Sequence, residues 1–113
     1  MTETSTRVAK FPIGARVEHL RYKFRGVIFD VDPEFNNSEE WYQAIPAEVR
    51  PRKDQPFYHL FAVSPQNDSP YIAYVSEQNL RPAAPEDAIS HPAIGEFFKG
   101  RRNGLYVPRM KGH

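Results

Sequence analysis

Eleven prolines divide this chain into short pieces, and that division restricts it to short elements. They stand at Pro12, Pro33, Pro46, Pro51, Pro56, Pro65, Pro70, Pro82, Pro85, Pro92 and Pro108, mostly between the apolar runs, so they punctuate the fold without lengthening its elements. The runs they leave, at residues 27–31, 57–63 and 71–75, are β-branched and aromatic, and long Leu/Ala-rich stretches are missing. Eight phenylalanines, six tyrosines and Trp41 supply the bulk of a small core. Together these features favour strands over helices. At 113 residues the chain suits one compact domain, which can bury roughly two-thirds of its unfolded surface.

Residues 1–10 are polar and predict a flexible leader. Ile13, Ala15 and Val17 then share one parity, and Arg16 and Glu18 the other, as in a half-buried strand ending near His19. After a polar turn at residues 22–25, Gly26 opens a second strand that pairs back as a hairpin and stops at Asp32-Pro33. Residues 34–56 lose the period and predict a long loop. Within it, Ser38 followed by Glu39 and Glu40 can cap one or two helical turns that fold Trp41, Tyr42 or Ile45 onto the domain. The run 57–63 is almost continuously apolar, which implies a strand buried from both sides or at a barrel centre. A dense turn signal at residues 64–70 leads to a fourth strand at 71–75. Residues 76–79 form a short helical or 3-10 turn with Asn79 suited to a left-handed conformation, and Leu80, Arg81 and Pro82 make an edge strand. Five strands in two hairpins with one long insertion predict a mainly β domain, a small SH3-like five-stranded barrel over residues 11–84. Residues 85–113 read as a linker, a short helix at 92–98 stopped by Gly100, and a mobile basic tail.

Several chemistries are absent from the pattern. With no cysteine there is no disulfide, thiolate nucleophile or cysteine zinc site, and a reducing cytoplasm is the natural setting. The first residues lack the apolar stretch of a signal peptide, and no segment approaches the roughly 18 to 20 apolar residues that span a bilayer. His19, His59, His91 and His113 are never at metal-site spacing, so no metal is expected; His19 and His59 can approach in space, with a structural hydrogen bond as their role. The acidic pairs Asp30/Asp32, Glu39/Glu40 and Glu86/Asp87 read as solvated charges. No nucleophile elbow or glycine-rich phosphate loop occurs, so neither an enzyme nor a cofactor is expected.

The net charge of +1 conceals a polarised chain. Residues 1–29 carry six basic and two acidic groups, residues 30–87 four and eleven, and residues 88–113 five and one. Arg16, Arg21, Lys23 and Arg25 interleave with Tyr22 and Phe24, a pattern that can hold a phosphate backbone and stack on bases, and Arg101 and Arg102 add basic groups from the tail. A near-neutral domain nevertheless lacks the basic excess of a dedicated DNA binder.

Four stretches carry a resemblance. Gly14-Ala15-Arg16-Val17-Glu18-His19, Arg25-Gly26-Val27-Ile28-Phe29-Asp30-Val31-Asp32-Pro33, Pro56-Phe57-Tyr58-His59-Leu60-Phe61 and Tyr74-Val75-Ser76-Glu77-Gln78-Asn79-Leu80 are similar in order and spacing to the hemimethylated-DNA-binding (YccV-like) family of HspQ heat shock proteins, over residues 11–82. The combination is far more specific than any one piece. It implies an SH3-like barrel, binding to hemimethylated origin DNA, and a heat-shock role that includes modulating ATP-dependent proteolysis by the Lon protease. Among the matched residues, Asp32 and Pro33 end a strand, while Tyr58, His59, Tyr74 and Glu77 carry polar tips that either hydrogen-bond across strands or line a recognition groove.

The expectation is a non-enzymatic, cytoplasmic stress-response regulator, an adaptor for Lon and its substrates that also binds hemimethylated double-stranded DNA; charge tips the balance slightly towards adaptor action. The alternative is a protein acting primarily on hemimethylated origin DNA, with no protease role. No membrane partner is expected, and an exposed aromatic loop can support a homo-oligomer.

Overall fold

The computed structural model describes residues 8–84 and 89–109. Its main sheet is antiparallel, built from β1 (Arg16–His19), β2 (Arg25–Asp32), β3 (Phe57–Val63), β4 (Pro70–Ser76) and β5 (Leu80–Pro82) in the order β4-β3-β2-β1-β5. The expected closed barrel is corrected here. β4 and β5 are the two ends of the order and do not pair, so among the described residues the sheet keeps two edges. A second, two-stranded sheet, β6 (Phe98–Arg102) with β7 (Leu105–Pro108), brings the strands among the described residues to seven.

β3 explains why its sequence is apolar at nearly every position. Tyr58, Leu60 and Ala62 face an inner cluster with Val17, Ile28, Val75 and Leu80. Phe61 and Val63 face the other way and join Val27, Ile89 and Phe98 in a second cluster. Phe98 opens β6, and α2 (Pro92–Phe97) adds Ala93 and Ile94 to that outer cluster, so the C-terminal elements cover the sheet's outer face. The mobile tail expected from Arg101 is therefore also corrected over residues 101–109, while its last residues, 110–113, lie outside the described residues. Asn103 and Gly104 both have positive φ, 55° and 83°, the pair of left-handed residues that a tight hairpin turn requires. Gly100 does not stop the helix. It lies inside β6, where the pairing with β7 shifts register between Phe98 and Arg101.

Two glycines are required where chains meet. Gly14, at φ 94°, hydrogen-bonds Ile28 through its N–H and Tyr106 through its carbonyl, and the Tyr106 carbonyl fills the place a Cβ would need. That turn breaks the parity expected of strand one: β1 begins only at Arg16, and Ile13 is exposed. In β2, a Cβ on Gly26 would lie 2.9 Å from the Phe61 carbonyl, so glycine lets β2 and β3 approach.

The connection from β2 to β3 is ordered by aromatic packing. Ser38 caps α1 (Glu39–Gln43) by accepting from the Trp41 N–H at 3.0 Å. Phe35 sits among the rings of Trp41, Tyr42, Phe57 and Tyr74 at centroid distances of 5.9, 5.3, 5.3 and 6.1 Å. Arg50 donates to the carbonyls of Ile45 and Gln43, and Lys53 pairs with Glu39 at 2.6 Å while lying 4.5 Å from the Tyr42 ring centroid.

Candidate nucleic-acid interface

β1 ends at His19, and the buried imidazole shapes the turn that follows. Its Nδ1 accepts from the N–H groups of Arg21 and Tyr22, both at 3.0 Å, and its carbonyl accepts from Lys23, whose φ of 64° is left-handed. Only the neutral ring has a lone pair on that nitrogen to offer. Burial, followed by the charge of Arg21, lowers the His19 pKa and favours that form. The Tyr22 ring stacks on His19 at 4.8 Å and is still 55% exposed. Arg21 and Lys23 flank it, exposed, and make no side-chain hydrogen bond or ion pair among the described residues.

The structure divides the other basic residues of the predicted set. Arg25 is half-buried and lies 3.9 Å from Asp68, and Arg16 is half-buried opposite Val27. Arg101 and Arg102 are exposed on β6, with the Arg101 guanidinium 5.5 Å from the Tyr106 ring centroid. Tyr106 bonds Gly14, so the hairpin and the Arg21/Lys23 turn occupy opposite ends of β1.

The matched polar residues form two networks. Tyr58 donates to Glu77 at 2.6 Å, and the pair accepts the N–H groups of Phe11 and Lys10, which pins the N-terminal segment to the inner core. Asp32 Oδ2 accepts from Tyr74 at 2.8 Å and lies 3.1 Å from His59 Nε2, while the Tyr74 hydroxyl accepts from Asn36. This second network holds the start of the β2–β3 connection, just beyond Pro33, which is exposed. His19 and His59 do not meet: His19 shares the inward parity of Val17, and His59 the outward parity of Phe61. Asn79, expected to be left-handed, is not among the positive-φ residues; its carbonyl accepts from Leu20 and its amide donates to Ser76.

A β-bulge accounts for the arrangement around Asp32. The β2–β3 register shifts between Ile28 and Asp30, so one extra residue, Phe29, reverses the parity beyond it and brings Asp30 and Asp32 to the face that carries His59. Donor atoms of the three lie within 4.8 Å of one another, a grouping of potential metal ligands that chain spacing does not reveal because β3 supplies the histidine. The Asp32 oxygen nearest His59 is already engaged by Tyr74.

A groove of about 460 Å³ lies beside the turn, in the range of roughly 300 to 1,000 Å³ usual for binding clefts. Its walls come from five separate segments: the turn with His19, Arg21 and Tyr22, the loop with Trp41 and Arg50, Phe57 at the start of β3, the strand β4, and the 3-10 turn Glu77–Asn79. Sequence reasoning missed it, since no one segment signals it.

No helix among the described residues is long and apolar enough to cross a membrane. The family model described as hemimethylated DNA-binding protein YccV-like matches residues 9–105, past β5 and into the C-terminal hairpin. With most of its length matched, this chain belongs to the YccV-like hemimethylated DNA-binding protein family.

Proposed function

We propose that this chain is a non-enzymatic module that binds duplex DNA through the β1–β2 turn, preferring hemimethylated duplex. The supporting observation is the pair of exposed cations, Arg21 and Lys23, flanking an exposed Tyr22 ring on a turn pinned by His19. Cations of this kind contact phosphates and displace counterions, and the ring offers a surface for stacking or groove contact. Family membership supports the DNA target. Hemimethylated chromosomal DNA is found inside the cell, so this reading carries a cytoplasmic location with it. The strand order, with a 3-10 turn leading into β5, supports an SH3-like reading of the main sheet.

The test is fluorescence anisotropy with hemimethylated, fully methylated and unmethylated duplexes across a salt series. The hemimethylated duplex is expected to bind most tightly. Each lost phosphate contact reduces the slope of log K against log salt by about 0.9, so Arg21→Ala with Lys23→Ala should flatten it by about 1.8. An unchanged slope would remove this turn from the interface.

A second reading, an adaptor for ATP-dependent proteolysis by Lon in the stress response, is supported by the aromatic-walled groove, a surface suited to protein contact. Its test is degradation of a Lon reporter substrate with and without the purified protein. Equal rates would dismiss it.

A further inference from the structure

We infer that the free edge of β4 is a strand-addition site for an extended segment of a partner protein, one with apolar side chains at alternate positions and acidic side chains between them. This deepens the adaptor reading, and rests on it only in that both need a protein partner.

Hydrogen bonding along β4 defines the edge. Glu77 donates to the Pro56 carbonyl and Ser64 donates to the Ser69 carbonyl, which places the bonded pairs of the β3–β4 ladder at Tyr71, Ala73 and Val75. The alternation therefore turns the N–H and C=O groups of Ile72, Tyr74 and Ser76 away from β3, and among the described residues β4 has no second strand neighbour. Unpaired edges of this kind are templates for another strand. The groove follows this edge, walled by Trp41 and Arg50 on the loop side and by Tyr22 and Phe24 on the turn side.

Three features select the occupant. An edge that alternates donors and acceptors matches a peptide backbone, whereas a phosphodiester offers acceptors alone. The edge is exposed from Pro70 to Ile72 and sinks between loop and turn from Ala73 to Ser76, so a lone extended segment reaches its whole length where the equally recessed half of a second copy's edge does not. The ionised side chains lining the groove are Arg21, Arg50 and Glu48, an excess of positive charge that favours acidic side chains in the segment.

The probe is a fluorescein-labelled heptapeptide of alternating valine and aspartate with a central phenylalanine, titrated into the full-length, isotopically labelled protein. Saturable anisotropy is expected, with amide shifts concentrated at residues 71–76. Ile72→Pro removes an outward N–H without touching the β3 ladder, and should weaken binding by about tenfold while the remaining amide spectrum stays folded. The same peptide N-methylated at alternate amides should lose binding to a similar degree, a readout that does not depend on how any protein variant folds. Replacing aspartate by lysine should weaken binding too. Equal affinity of the plain and N-methylated peptides, or shifts lying outside β4, would each overturn the inference. Peptide binding without stimulation of Lon would uphold the site and discard the adaptor; stimulation without peptide binding would do the reverse.

Discussion

The Tyr74 hydroxyl donates to the Asp32 carboxylate at 2.8 Å and accepts from the Asn36 N–H at 2.9 Å, so one oxygen ties β4, the end of β2 and the loop together. Tyr74→Phe leaves a half-buried carboxylate short of a donor, and should cost about 1 to 3 kcal/mol in urea denaturation while leaving the strands paired. Tyr58 plays the equivalent part at the N-terminal segment. Burial, then its hydrogen bond to Glu77, pushes its pKa up to about 12 from an ordinary 10.0. A raised phenol pKa means that the stabilisation is complete below pH 10 and is lost as pH rises through 12. Denaturation midpoints should therefore fall across that window, and Tyr58→Phe should abolish its share of the fall. His19 has the opposite sign: its lowered pKa makes the neutral ring's contribution complete above the ordinary value of 6.5 and lost as pH drops through the folded value. Hydrogen exchange at the Arg21 and Tyr22 amides should accelerate on acidification before β3 loosens. Uniform protection across the pH range would show that His19 does not hold the turn.

Among the elements, the C-terminal hairpin depends on Gly14. Gly14→Ala places a methyl group against the Tyr106 carbonyl at a φ of 94° that alanine resists, so exchange should rise across β6 and β7 while β2 and β3 stay protected. Phe98→Ala, a cavity in the outer cluster, should cost about 3 to 5 kcal/mol of stability. How legible each element was depended on whether its cause is local. β3, the Ser38 cap and the short β5 lie where the pattern puts them, because continuous apolarity, a capping hydroxyl and an edge proline act over a few residues. The β6–β7 turn was legible in principle, as Asn103-Gly104 is a strong hairpin signal, but it was hidden by the basic residues of β6 that flank it. The bulge at Phe29 left no mark, since two residues opposite one is a property of the pairing and not of either strand. For the same reason the site was half legible. Arg21, Tyr22 and Lys23 adjoin in sequence, whereas the Asp32–His59 contact and the groove are made only by strand pairing.

For the molecule as a whole, the near-balance of charge matters less than where its exposed cations fall. Basic residues lie at both ends of β1, with the turn at one and the β6–β7 hairpin at the other. If the turn carries DNA, Arg101→Ala with Arg102→Ala should alter duplex affinity by less than about twofold, against a loss of about tenfold or more for the Arg21/Lys23 pair. Equal losses from the two pairs would instead describe a duplex laid along the whole length of β1. The covering of β3 on both faces has a consequence for biosynthesis. A ribosome delivers the five strands of the main sheet first, and at that moment Val27, Phe61 and Val63 still face water because Ile89 and Phe98 have yet to emerge. For those seconds the nascent chain is itself a sticky, unfinished protein, the kind of surface that chaperones attend.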